Sequence, residues 1–151
     1  MMTDPSPPPW GEPAEILLVE DNPGDVRLVQ EELRFGHLHN EVHVTTDGLE
    51  AMAFLHQDPP FEDAPRPDLI LLDLNLPHKT GQEVLEEVRE DPALASIPVI
   101  VLTATPEHER VLRDEGLPAE GYLTKPITVG TLLRAIAEVG GYGVSLIRLP
   151  A

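Results

Sequence analysis

Adjacent acids at Glu20 and Asp21, a third carboxylate at Asp73, a hydroxyl at Thr103 and an ammonium at Lys125 each stand at the end of a short apolar run. The runs are Ile16-Leu17-Leu18-Val19, Leu69-Ile70-Leu71-Leu72, Val99-Ile100-Val101-Leu102 and Tyr122-Leu123-Thr124. Carboxylates can hold a hard cation or attack phosphorus, a hydroxyl can donate to a phosphoryl oxygen, and an ammonium can neutralise its charge. If the runs are parallel strands, these groups all leave one edge of a sheet and form one site.

The rest of the chain supplies the elements that such a site needs. β-like runs fall near 15–20, 41–45, 68–73, 98–103 and 120–124, and helical patterns near 24–36, 48–57, 81–90, 106–115 and 128–138. Val26, Val29 and Leu33, then Val84, Leu85 and Val88, then Leu132, Leu133 and Ile136 each put apolar side chains on one helical face. Strands rich in Ile, Val and Leu with little alternation are buried on both faces, as a parallel sheet between helices requires. Five such units in series predict a doubly wound α/β domain, a five-stranded parallel sheet with helices on both faces. Ligands bind outside the carboxyl ends of such strands, where strand order reverses. In the order 2-1-3-4-5 that crevice lies between strands one and three, which brings Glu20 and Asp21 beside Asp73, with Thr103 and Lys125 arriving from the next two strands.

Composition narrows the function classes. The 151 residues suit one domain, and no apolar run approaches the length of a membrane helix, so a soluble cytoplasmic protein is expected. A formal net charge of −17 disfavours nucleic acid and anionic membrane as partners. Without cysteine there is no disulfide, thiolate metal site or thiol nucleophile. Of the basic residues only Lys79 and Lys125 are lysines, and the second ends a strand. Pro5, Pro7, Pro8, Pro9 and Pro13 mark residues 1–14 as an extended arm, ahead of a domain over 15–139. In the tail, 140–151, Tyr142, Val144, Leu146, Ile147 and Leu149 offer apolar surface that packs on its own domain or on a second copy.

Three carboxylates at one strand edge repel one another by about 4 kcal/mol per pair at ~4 Å and an effective dielectric near 20. A hard cation relieves this, and an all-oxygen set of Glu20, Asp21 and Asp73 fits magnesium better than zinc. His37 and His39 are close enough in sequence to share a metal but read as surface residues at a helix end. Asp73 lies between the acidic pair and the hydroxyl and ammonium, so it is the expected phosphoryl-accepting nucleophile. Lys125 would then balance the phosphoryl charge and Thr103 donate to it.

At these residues, the segments ILLVEDNPGD, PDLILLDLNLPHKTG, IPVIVLTAT and GYLTKP make the chain resemble the receiver domain of bacterial two-component response regulators, from about Ile16 to Val139. The resemblance implies a flavodoxin-like receiver fold in which Asp73 accepts phosphate from a phosphohistidine of a sensor histidine kinase. It implies magnesium on Asp21, Asp73 and the Asn75 carbonyl, with Glu20 assisting through water. It also implies that Thr103 follows the phosphoryl group, that Tyr122 switches rotamer with it, and that the Lys125-Pro126 bond is cis. The phrase DLNLP with His78-Lys79-Thr80-Gly81, together with the tail, is similar to stand-alone regulators serving phytochrome photoreceptor kinases. That similarity implies a single-domain homodimer paired through the region of the fourth and fifth helices and the tail, although Gly140-Gly141-Tyr142-Gly143 replaces the bulky aromatics common there.

Two other functions share part of the pattern. A phosphohydrolase of the haloacid dehalogenase type also uses an aspartate after a Rossmann-like strand, but needs an acid/base two positions later, where this chain has Asn75. A phosphoryl shuttle, in which Asp73 passes its group to a histidine phosphotransfer protein, uses the same residues. With no output domain expected, the signal leaves through a partner, a change in dimerisation or onward transfer.

Overall fold

The β-like runs form β1 (Ala14–Val19), β2 (Asn40–Thr45), β3 (Leu69–Asp73), β4 (Val99–Thr103) and β5 (Gly121–Thr124) in the computed structural model, which describes residues 14–35 and 40–138. Between and after them run α1 (Pro23–Phe35), α2 (Gly48–His56), α3 (Gly81–Glu90), α4 (Pro106–Glu115) and α5 (Val129–Glu138). The strands are all parallel and ordered β2-β1-β3-β4-β5. The expected order and the switch point between β1 and β3 are thus present. Ala14, placed in the arm by the sequence, is the first residue of β1, while residues 1–13, His37, His39 and the apolar tail lie outside the described residues.

Strand alternation sorts the interior into two cores. Ile16, Leu18, Leu69, Leu71, Ile100, Leu102 and Leu123 face α1 and α5, against Val29, Leu33, Leu132 and Ile136. Their neighbours Leu17, Val19, Ile70, Leu72, Val99, Val101 and Tyr122 face α2, α3 and α4, against Phe54, Leu85, Val88 and Leu112. The central strands are buried at every position, which explains why their sequences do not alternate. Truncating one of these leucines to alanine removes contacts on a face already fully packed, at a cost of about 2–5 kcal/mol.

Local chemistry fixes where the helices begin. Asn22 Oδ1 accepts from the amides of Gly24 and Asp25 at 2.9 and 3.1 Å, closing the first turn of α1. Asp47 caps α2 through the Glu50 amide at 2.7 Å, and Thr105 caps α4, with Pro106 just inside it. Thr80 and Glu83 form a reciprocal capping box at the start of α3. Away from the site, Arg89 binds Glu120 and donates to the carbonyls of Ala95, Ile97 and Pro118, tying α3 to the loops that lead into β4 and β5.

Candidate functional site

The alternation that sorts the cores also aims the polar residues at the strand ends. Leu18, Leu71 and Leu123 face α1 and α5, so Glu20, Asp73 and Lys125, each two residues further on, project to that side. Lys125 Nζ there donates to Glu20 Oε1 at 2.7 Å, Asp73 Oδ2 at 3.0 Å and Asp25 Oδ2 at 3.0 Å. Asp25, in the first turn of α1, was not among the residues anticipated. The missed signal was parity: Lys125 shares a face with Leu123 and must point toward α1.

Glu20 is 1% and Asp73 8% exposed, while Asp21, beyond the strand end, is exposed. Carboxylate oxygens of Glu20, Asp21 and Asp73 lie within 4.8 Å of one another, as expected from the switch point. Burial pushes the Glu20 carboxyl up to about 9, reinforced by hydrogen bonding to Asp73 and opposed by Lys125. Burial also works against an ionised Asp73, but hydrogen bonds from Glu20, the Asn75 amide and Lys125 outweigh it and hold Asp73 below the ordinary range. At Lys125 burial would lower the pKa, yet its hydrogen bonds to the acids raise it above the ordinary lysine value. The two carboxyls are thus pushed apart, burial favouring the neutral form of Glu20 and the hydrogen bonds to Asp73 favouring its ionised form.

The other anticipated residues divide by the same parity. Thr103 is 2% exposed and borders the cleft with Asp73 and Lys125, but its hydroxyl meets Leu123 O at 3.3 Å and Thr124 Oγ1 at 3.2 Å on the α4 side of the sheet. No hydrogen bond joins it to Asp73 among the described residues. Thr124 in turn donates to Glu109 Oε1 at 3.1 Å, and Arg113 Nε to Glu109 Oε2 at 3.2 Å. The Arg113 guanidinium lies 4.7 Å from the centroid of the Tyr122 ring, whose hydroxyl donates to Leu117 O at 3.1 Å. A polar chain thus runs from the cleft to α4, separate from the acidic cluster. Lys125-Pro126 is cis, as the sequence resemblance implied.

The loop after β3 is held by close backbone packing. Asp73 Oδ1 accepts from the Asn75 amide at 2.9 Å, and the Gly81 amide donates to Leu74 O at 3.1 Å. A Cβ at Gly81 would fall 2.3 Å from Asp73 O, so only glycine lets α3 start this near the backbone at the end of β3. A Cβ at Gly48 would fall 2.1 Å from Lys79 O, and His78, at φ 65°, reaches Asp47 Oδ2 at 3.2 Å; both features bind the loop to the start of α2.

A divalent ion fits this donor set. Glu20 Oε2 is buried with no hydrogen-bond partner, beside two further carboxylates and no nitrogen or sulfur donor of the cluster. An all-oxygen site with an open side suits a hard cation that keeps some of its water.

Residues 16–137 match the response regulator receiver domain family. Over 150 residues, the chain is 43% identical to the response regulator Rcp1 of Synechocystis sp., covering 99% of both. The manganese-bound structure of Rcp1 aligns with a TM-score of 0.70 and 44% identity, over 92% of this chain and 100% of that one. The bacteriophytochrome response regulator RtBRR aligns with a TM-score of 0.80 and 36% identity, over 92% and 83%. The phosphorylated cyanobacterial phytochrome response regulator RcpA gives a TM-score of 0.70 and 40% identity, over 89% and 98%.

Proposed function

The chain belongs to the response regulator receiver family, and on that premise we propose that it accepts a phosphoryl group from a sensor histidine kinase on Asp73. The observation that carries this is how that side chain is held: almost buried, bound by Lys125 through Oδ2 and by the Asn75 amide through Oδ1. A carboxylate fixed at both oxygens is positioned before the donor arrives. In the transfer, an oxygen of Asp73 bonds to phosphorus while the P–N bond of a phosphohistidine breaks, its electron pair going to the imidazole nitrogen. Lys125 offers the ammonium that faces the gathering negative charge.

Glu20, Asp21, Asp73 and the Asn75 carbonyl would hold the divalent ion, with magnesium as the expected species. When bound, it neutralises charge on the phosphoryl oxygens. Thr103 and Tyr122 would read the modification, the first by turning its hydroxyl from β5 toward the cleft, the second through the contacts it makes with Arg113 and Leu117. Similarity to regulators named for phytochromes supports a phytochrome-type kinase as donor.

Asp73→Asn tests the acceptor. Acid-labile labelling by radiolabelled acetyl phosphate, dependent on magnesium, is expected in the wild-type chain and absent from this variant. Full labelling of Asp73→Asn would sink the reading.

A further inference from the structure

We propose that Asp25 is a positioning residue for phosphoryl acceptance, holding the Lys125 ammonium while the other two acceptors of that ammonium change partners. The inference rests on Asp73 being the acceptor. Lys125 Nζ has three N–H groups, and Glu20 Oε1, Asp25 Oδ2 and Asp73 Oδ2 take them at 2.7, 3.0 and 3.0 Å. Two of these acceptors are called on elsewhere. Asp73 surrenders charge when its oxygen bonds to phosphorus, and Glu20 belongs to the carboxylate trio that fits a divalent ion. Asp25 is outside that trio.

Its place is set independently of the reacting groups. The Asp25 amide is bound to Asn22 Oδ1 at 3.1 Å, in the first turn of α1, where the helix end favours a carboxylate. Lysine carries a compact charge on a flexible stem, so an ammonium that lost both other partners would be free to swing out of the cleft. One retained bond to a carboxylate whose backbone is anchored in the first turn of α1 keeps its remaining N–H groups directed at the phosphoryl oxygens. Asp25 touches neither phosphorus nor metal; it acts through Lys125.

The test compares wild type, Asp25→Asn, Asp25→Glu and Asp25→Asn in a Lys125→Gln background. Each is labelled with radioactive acetyl phosphate at saturating magnesium, whose P–O bond to acetate breaks as the Asp73 oxygen attacks. Binding of manganese alone is measured by calorimetry on the unlabelled protein. Asp25→Asn is expected to slow labelling by about five- to tenfold, the scale of one charge-assisted hydrogen bond, with manganese affinity within about twofold of wild type. Asp25→Glu, which keeps a carboxylate within reach, recovers most of the rate. Wild-type labelling by Asp25→Asn, or a fall in manganese affinity matching the fall in rate, overturns the proposal. An Asp25→Asn loss of undiminished size without Lys125 also overturns it. If wild type itself is not labelled, the acceptor reading fails and this one with it; if wild type is labelled, a failure belongs to Asp25 alone.

Discussion

Metal binding should release the proton held on Glu20, and its size can be worked from the site. The carboxyl, 1% exposed, is pushed up to about 9, so at pH 7 ionising it costs about 2.7 kcal/mol, two pH units at about 1.36 kcal/mol each. If the cation requires the ionised form, its affinity at pH 7 is about 100-fold below the value above pH 9 and rises about tenfold per pH unit on the way. Calorimetry of magnesium or manganese binding in buffers of different ionisation enthalpy, between about pH 6.5 and 8.5, should show about one proton released per ion. Glu20→Gln should abolish the release and flatten the slope. The same proton affects the metal-free fold. A carboxyl whose pKa is raised on folding contributes stability below its unfolded value near 4.5 that is lost as pH rises toward about 9. Urea unfolding of the metal-free chain should therefore show wild type losing stability relative to Glu20→Gln across that window. No proton release by wild type, or an equal pH slope in Glu20→Gln, would refute the reasoning.

Two further perturbations probe the frame around the cleft. Gly81→Ala places a Cβ 2.3 Å from Asp73 O and 2.6 Å from Leu74 Cα, both backbone atoms that cannot swing aside; a loss of about 1–3 kcal/mol in urea unfolding is expected, along with slower acetyl phosphate labelling. Arg89→Ala leaves the nearly buried Glu120 carboxylate with the Val99 amide but no cation, and removes donors from three carbonyls; a loss of about 2–4 kcal/mol by the same assay is expected, with manganese affinity unchanged.

The sheet was legible because burial on both faces leaves a strong mark: β3 and β4 are runs of Ile, Val and Leu in which no polar residue interrupts the core. Helix starts were legible where a cap stands in sequence, as at Thr80 with Glu83. Glu20, Asp21 and Asp73 could be joined because topology alone brings the ends of β1 and β3 together. Asp25 was hidden by its surroundings: in a helix starting Pro-Gly-Asp-Val-Arg, an acid in the first turn already has a sufficient explanation in the helix end. Thr103 shows the opposite difficulty. Its position at the cleft follows from the strand, but the direction of its hydroxyl depends on Thr124, whose importance emerges only when β4 and β5 are paired in register.

Glu20, Asp73 and Lys125 meet because each lies an even number of residues beyond a core leucine, while Tyr122 and Thr124 occupy the odd positions beside them. Strand length is therefore itself an inherited trait of the site. Removing Gly121 would leave every functional side chain in the chain, yet with the upstream register held it would exchange the two sides on which they act, carrying the ammonium away from the acids and the tyrosine away from Arg113. Substitutions in these strands can drift one at a time, whereas insertions and deletions cannot, so divergence among such domains should accumulate in the loops and leave the count of residues in each strand untouched.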